Sequence, residues 1–422
     1  MGKIKIAFIC HVSNNAIRSK LHQRIPWYEK ISRKLLKKNP PLLNDFAQWN
    51  TFAIEELSKI EQVELSVIAP AQFMPKEESC FNIGSVRYFF FKDEDDYLFR
   101  KIKNAISPNS YHYYRRNRKI IQHYVKEISP DIVHIVGAEN PYYSLSALDI
   151  SKEIPLIVQL QTLMSDPAFL KNVNNISNSS YSYRVDVEKK VIMRADYIAT
   201  KVELFKTIII KDIKPDAKFL DMSLTLSEKV NHEETKKEYD FVYFASNISK
   251  ACDLALEAFG LAHEKHPDIR LDIIGNCSEE YKAFLDKIIE KYDISDYVFF
   301  EGKLPSHEDV MYQIRKSRFA LLPLKIDLVS GTIRESMANG LPVLTTITQG
   351  TPTLNKDYPC ALLSEIGNHQ SLADNMCRLL EDDSFAKTLK ENGYKKAGSR
   401  ISNTEIVSQW MKEYHKILNV DM

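Results

Sequence analysis

The strongest constraint on what this chain can fold into is an alternation, met twice along 422 residues, of short apolar runs with longer segments of helical spacing. In the first half the runs are Ile4–Cys10, Val63–Ala69, Val86–Phe91, Ile132–Val136, Leu156–Leu160 and Tyr197–Thr200. Helical spacing separates them, as over Asn44–Ile60 and Arg115–Ile128. The second half repeats the pattern with Phe241–Ala245, Leu271–Gly275, Tyr297–Phe300, Phe319–Pro323, Pro342–Thr345 and Ala361–Leu363. Its helices are expected at Asp253–His266, Glu279–Tyr292, His307–Arg315, Thr332–Asn339, His369–Leu380 and Phe385–Ala397. Strands separated by helices build βαβ units and parallel sheets. A single core stops growing near about 250–300 residues, so two α/β domains are expected. The charged, non-periodic stretch Ser227–Asp240 is the natural boundary. A terminal amphipathic segment, Glu405–Leu418, sets Val407, Trp410, Met411, Tyr414 and Leu418 on one face.

Composition narrows the class. Hydrophobic content of 44% and charged content of 27% suit a soluble globular protein. No apolar run approaches the roughly 20 residues that span a bilayer. Lys5 interrupts the first apolar run, which reads as a buried strand and not a signal peptide. The six cysteines show no C-x-x-C spacing, so neither a zinc site nor a disulfide framework is expected. Net charge is +1, yet residues 1–230 carry 34 Lys+Arg against 26 Asp+Glu, and residues 231–422 carry 23 against 30. That asymmetry points to a local anionic partner and away from general nucleic-acid binding.

One stretch carries chemistry. Asp327 and Glu335 stand eight positions apart around the small-residue turn Ser330-Gly331-Thr332. The turn opens a short helix that Gly340 ends, and Pro342-Val343-Leu344 begins a strand. Unsatisfied N–H groups and the helix dipole favour an anion at such a start. A carboxylate one turn further in can accept a pair of sugar hydroxyls. The layout suits a diphosphate joined to a ribose.

The stretch resembles the E-x(7)-E region of retaining glycosyltransferases of GT-B fold, family 4 in particular. Glu335, Met337, Ala338, Gly340, Pro342 and Val343 match, and Asp327 stands at the first acid. Phe241–Phe259 is similar to the family's first donor-side strand and helix, with Lys250, Asp253, Glu257, Ala258 and Phe259 in register. Ala245 and Ser246 stand where the family writes an arginine; Lys325 and Arg334 are cations nearby in sequence. Leu271–Asn276 and Phe299–Leu304 resemble the family's L-x-I-V-G and F-x-G-x-V segments.

The resemblance implies an α/β, GT-B architecture: two Rossmann-like domains facing across a cleft. The acceptor-side domain would be residues 1–226, completed by the terminal helix within 405–422, and the donor domain 227–404. It implies Asp327, Glu335, Lys250 and Gln161 as catalytic residues, Gln161 standing where the family has a histidine. The donor would be held by Ser246, Lys250, Gly275, Asn276, Gly302, Lys303, Ser330, Gly331, Thr332 and Glu335. The expected activity is retaining, metal-independent transfer of a sugar from a nucleotide diphosphate sugar to a glycan, lipid-linked or other acceptor. The nucleotide sugar is a co-substrate, and no resident cofactor or metal is implied. A cytoplasmic protein is expected, touching the anionic inner membrane face through the basic, aromatic segments Arg18–Lys38 and Tyr111–Lys119. Asp93–Asp96 reads as a solvated acidic loop. A different class stays open, an inactive GT-B-like protein serving as a binding partner or scaffold. It is suggested by the absent arginine and histidine and by Cys10–Asn15, where the family has Gly-Gly. A sugar-nucleotide epimerase on the same fold is a third reading.

Overall fold

A computed structural model describes residues 3–35, 43–96, 113–167, 169, 178–226, 230–248, 251–325, 330–348, 350–399 and 401–419. Two sheets organise the molecule. The N-terminal sheet comprises β1 (Ile4–Ile9), β2 (Val63–Ala71), β3 (Glu78–Ile83), β4 (Val86–Lys92), β5 (Ile132–Val136), β6 (Leu156–Gln159), β7 (Tyr197–Ala199) and β8 (Phe219–Leu220). Their spatial order is β3-β4-β2-β1-β5-β6-β7-β8, parallel except where β3 pairs antiparallel with β4. The C-terminal sheet holds β9 (Tyr239–Asn247), β10 (Leu271–Asn276), β11 (Val298–Gly302), β12 (Ser317–Leu321), β13 (Val343–Thr346) and β14 (Ala361–Ser364). It is wholly parallel, in the order β11-β10-β9-β12-β13-β14.

Apolar residues decide both sheets. Phe8, Ile9, Val67, Ile135 and Val158 are completely buried in the first, and Phe241, Ile273, Leu321 and Val343 in the second. A parallel sheet covered by helices on both faces buries every strand position, which explains the continuous apolar runs. Two strands escaped the sequence. Edge strand β3 alternates between half-buried and exposed and carries Glu78, Ser79 and Asn82, so it lacks an apolar run. Strand β8 is two residues long.

The terminal helix Asn403–Leu418 lies on the N-terminal sheet, with Ile406, Val407, Trp410, Met411 and Tyr414 buried among Phe8, Ile54 and Leu57. The Trp410 indole donates to Ser223 O at 3.0 Å. The Tyr414 hydroxyl lies 2.7 Å from Nδ1 of the fully buried His134, whose pKa burial lowers to about 3. The stretch expected as the domain boundary is partly structured. Tyr239 and Asp240 already belong to β9, and Lys237 donates to Arg315 O and Ser317 O at 2.7 and 2.9 Å.

The acidic run is not solvated. Asp93 and Asp96 are buried around a single turn, Glu94–Asp96. Asp96 accepts from Phe73 N at 2.9 Å, and Asp93 accepts from the Asn117 amide at 3.0 Å. Burial raises the Asp93 pKa to about 6. The run reads as polar in sequence, but its carboxylates act as caps for neighbouring backbone and so turn inward.

Candidate active site

The helix Gly331–Ala338 is built by its ends. Ser330 sits at its N-cap in extended conformation, its hydroxyl accepting from Thr332 N at 3.3 Å and lying 2.6 Å from the Thr332 hydroxyl. Among the described residues, a Cβ on Gly331 would meet nothing within 4 Å. At the other end Gly340 has φ +71°, Gly340 N donates to Met337 O at 3.1 Å, and Leu341 N donates to Ser336 O at 2.9 Å. This pair of bonds closes a helix over a left-handed glycine. The cap faces Tyr394, whose hydroxyl would lie 2.2 Å from a Cβ at Gly340.

Glu335 lies one turn into this helix. Its Oε1 is 2.8 Å from Nε2 of His307, the first residue of the helix His307–Ile314. Burial opposes the His307 imidazolium, but the Glu335 and Asp45 carboxylates prevail and raise its pKa above the ordinary histidine value. Asp45 belongs to the N-terminal half. Its N–H donates to Pro305 O at 3.3 Å, its Oδ2 accepts from His307 N at 3.5 Å, and its Oδ1 lies 2.5 Å from Arg18. The loops at the C-terminal edges of both sheets therefore meet here.

The other residues expected to hold the donor lie at the same edge of the C-terminal sheet. Ser246 is near the end of β9, Asn276 ends β10, and Gly302 with exposed Lys303 ends β11. Gly275 has φ +139°, and a Cβ there would fall 2.0 Å from Ala245 O, so only glycine lets β10 press this closely on β9. Gly302, at φ +69°, faces open space. Asp327 and Lys250 lie outside the described residues.

On the N-terminal sheet, Gln161 follows β6 and donates to Val136 O at 3.3 Å. It joins a buried polar cluster that the sequence did not disclose. The Tyr143 hydroxyl donates to Val136 O at 2.6 Å and lies 3.1 Å from His11 Nδ1, and Asn140 donates to Glu139 and to the Tyr143 hydroxyl. Burial lowers the His11 pKa to about 4, so it is a neutral ring at physiological pH. The signal available was Gly137, at φ +94°, where a Cβ would meet Tyr143, Asn140 and Gln161 within 3.2 Å. In the second basic segment Arg118 pairs with Asp149 at 2.6 Å and Arg116 pairs with Glu77.

Two largely parallel sheets whose C-terminal edges meet, with an acid one turn inside a helix start, define the fold as GT-B. Residues 226–396 match the family described as Glycosyl transferases group 1. N-acetyl-alpha-D-glucosaminyl L-malate synthase from Bacillus anthracis is 25% identical over 154 residues, a match spanning 36% of this chain and 39% of that protein. An uncharacterized glycosyltransferase of Methanocaldococcus jannaschii is 24% identical over 336 residues, spanning 76% of this chain and 88% of the relative. Among solved structures, sucrose-phosphate synthase from Thermosynechococcus elongatus is similar with a TM-score of 0.69 at 14% identity, covering 99% of this chain and 100% of that one.

Proposed function

We propose that this chain moves a sugar from a nucleoside diphosphate sugar to a hydroxyl-bearing acceptor, with retention at the anomeric carbon and no bound metal. The observation that carries the reading is Glu335 one turn inside a helix capped by Ser330, where a Cβ at Gly331 meets nothing within 4 Å among the described residues. Ribose hydroxyls would donate to Glu335 in place of His307. The diphosphate would lie on the helix start, where fixed N–H donors and the Ser330 and Thr332 hydroxyls meet growing charge without reorganising. Asp327 and Lys250 complete this set in the proposal, Asp327 toward the transferred sugar and Lys250 toward the phosphates. Gly275, Asn276, Gly302 and Lys303 would flank the nucleoside, with Ser246 beside the phosphates.

As the bond from the anomeric carbon to the diphosphate breaks, its electron pair goes to the diphosphate oxygen. The acceptor oxygen bonds from the same face and its proton passes to the leaving diphosphate. Gln161 can hold a hydroxyl but cannot take that proton at neutral pH. No step in this reading calls on a metal ion. A lipid-linked acceptor is supported by the helix Trp27–Leu35, where Trp27 is 73% and Ile31 51% exposed beside Lys30 and Lys34. Aromatic and aliphatic tips among lysines suit an anionic membrane face.

Thermal unfolding with millimolar UDP, GDP, ADP and CDP tests the donor site, for the native chain and for Glu335→Ala. A ligand at 100 times its Kd adds about 2.7 kcal/mol of stability. Stabilisation by one nucleotide that Glu335→Ala loses is the expected result. If none stabilises the native chain, the donor site falls and the scaffold reading replaces it.

A further inference from the structure

The C-terminal sheet changes direction between β9 and β12, since β10 and β11 lie to one side and β13 and β14 to the other. In doubly wound sheets, ligands enter the crevice at such a switch, beyond the C-terminal strand ends. Two side chains cross this crevice. Asp253 comes from the first turn of the helix Cys252–His263, which follows β9. Lys325 comes from the segment following β12, pinned beside β13 by the bond from Leu324 N to the Thr346 hydroxyl at 2.7 Å. Lys325 Nζ lies 2.7 and 3.0 Å from the two Asp253 carboxylate oxygens, with both side chains largely shielded at 13% and 16% exposure. The Tyr281 hydroxyl donates to Asp253 Oδ1 at 2.9 Å.

We propose that Lys325 is a diphosphate-binding residue of the donor site, standing in for the arginine absent at Ala245 and Ser246. The assignment rests on the donor-site reading above and deepens it. Lys325 begins the same β12–β13 connection that later supplies Ser330 and Glu335, so one segment carries the cation, the helix start and the ribose acid. Strand β12 pairs directly with β9, Phe319 beside Phe241 and Ala320 beside Val242. A cation leaving β12 at this edge therefore stands next to the end of β9, where Ala245 and Ser246 lie. An ammonium has three N–H donors, and the two Asp253 contacts leave one for a phosphate oxygen. Asp253 holds the side chain extended and compensates its charge while no anion is bound. A shielded ion pair earns little net stability, so its place at the switch is better accounted for by ligand binding than by folding.

Calorimetric titration with UDP, GDP, ADP and CDP, each beside its parent nucleoside, separates the possibilities. Lys325→Gln should weaken the bound diphosphate at least tenfold while changing nucleoside affinity less than twofold, the range expected for losing one charge-assisted hydrogen bond. Lys325→Arg should restore diphosphate affinity to within a few-fold. Because Lys325→Gln leaves Asp253 uncompensated, the charge-neutral pair Lys325→Gln with Asp253→Asn is measured alongside and should show the same selective loss. A smaller loss, or one shared equally by the nucleoside, would overturn the assignment and leave the pair structural. If the native chain binds none of the four diphosphates, the donor site fails and Lys325 falls with it. If the native chain binds one and Glu335→Ala abolishes it while Lys325→Gln does not, only Lys325 falls.

Discussion

Glu335 and His307 are 28 positions apart, and only the first was legible. Glu335 announces itself through local grammar, a serine cap before it and a glycine stop after it. His307 meets it only because β11 delivers the helix His307–Ile314 to the same edge, and no spacing rule encodes that. The pairing has a consequence for pH. The His307 pKa is raised, with burial outweighed by the Glu335 and Asp45 carboxylates, while Glu308 adds attraction from its own helix and Arg18 sits on the far side of Asp45. The charged pair is therefore complete below the ordinary histidine value of about 6.5 and fades as pH rises through the raised pKa. In the proposed donor site ribose would have to displace His307 from Glu335, so the imidazolium would compete with the donor. Nucleoside diphosphate affinity should strengthen several-fold from about pH 6 to pH 8.5. His307→Gln should flatten that profile and bind more tightly at the acid end. Equal slopes for the two proteins, read by titration calorimetry, would remove His307 from the site.

At the scale of elements, type and order were largely legible; β8 was too short to read, and the other failures share one cause. Helix Glu279–Tyr292 and helix Arg115–Ile128 begin and end where their periodicity does. Strands buried on both faces read as apolar runs because both faces demand apolar residues. Edge strand β3 has one wet face, and the Glu94–Asp96 turn points its acids inward, so composition misleads at both. The glycine after the site helix was legible for a backbone reason, and the structure adds a packing reason through Tyr394. Gly340→Ala must place a side chain at φ +71° and push the Tyr394 ring aside, costing about 2–4 kcal/mol. Gly331→Ala meets nothing within 4 Å among the described residues and should change stability by under about 0.5 kcal/mol. Urea unfolding of both variants decides it. Equal midpoints would mean that the cap does not depend on the glycine.

The whole molecule is two sheets tied by contacts that no local pattern displays. The amphipathic face of the terminal helix was legible; that it packs on β1 through Phe8 is a long-range fact, set by which apolar surface the first sheet leaves uncovered. Near that helix the Thr225 hydroxyl donates to Trp49 O, and Leu226 N donates to Asn403 Oδ1 at 3.0 Å. Across the working edge the tie is small and polar, centred on Asp45 with Arg18, Pro305 and His307. Contacts of the first kind bury apolar surface and resist opening, whereas a few polar bonds between loops open at little cost. If the proposed donor exchanges at this edge, the edge must open, and among the described residues Asp45 is a contact that opposes it. Asp45→Ala should therefore speed hydrogen exchange at the backbone of 305–310 and 44–47 while leaving global unfolding within about 1 kcal/mol of native. The protection of β9, β10 and β12 should stay unchanged, since their bonds lie within one sheet. Unchanged exchange at 305–310 in the variant would show that the two edges are held by something other than Asp45.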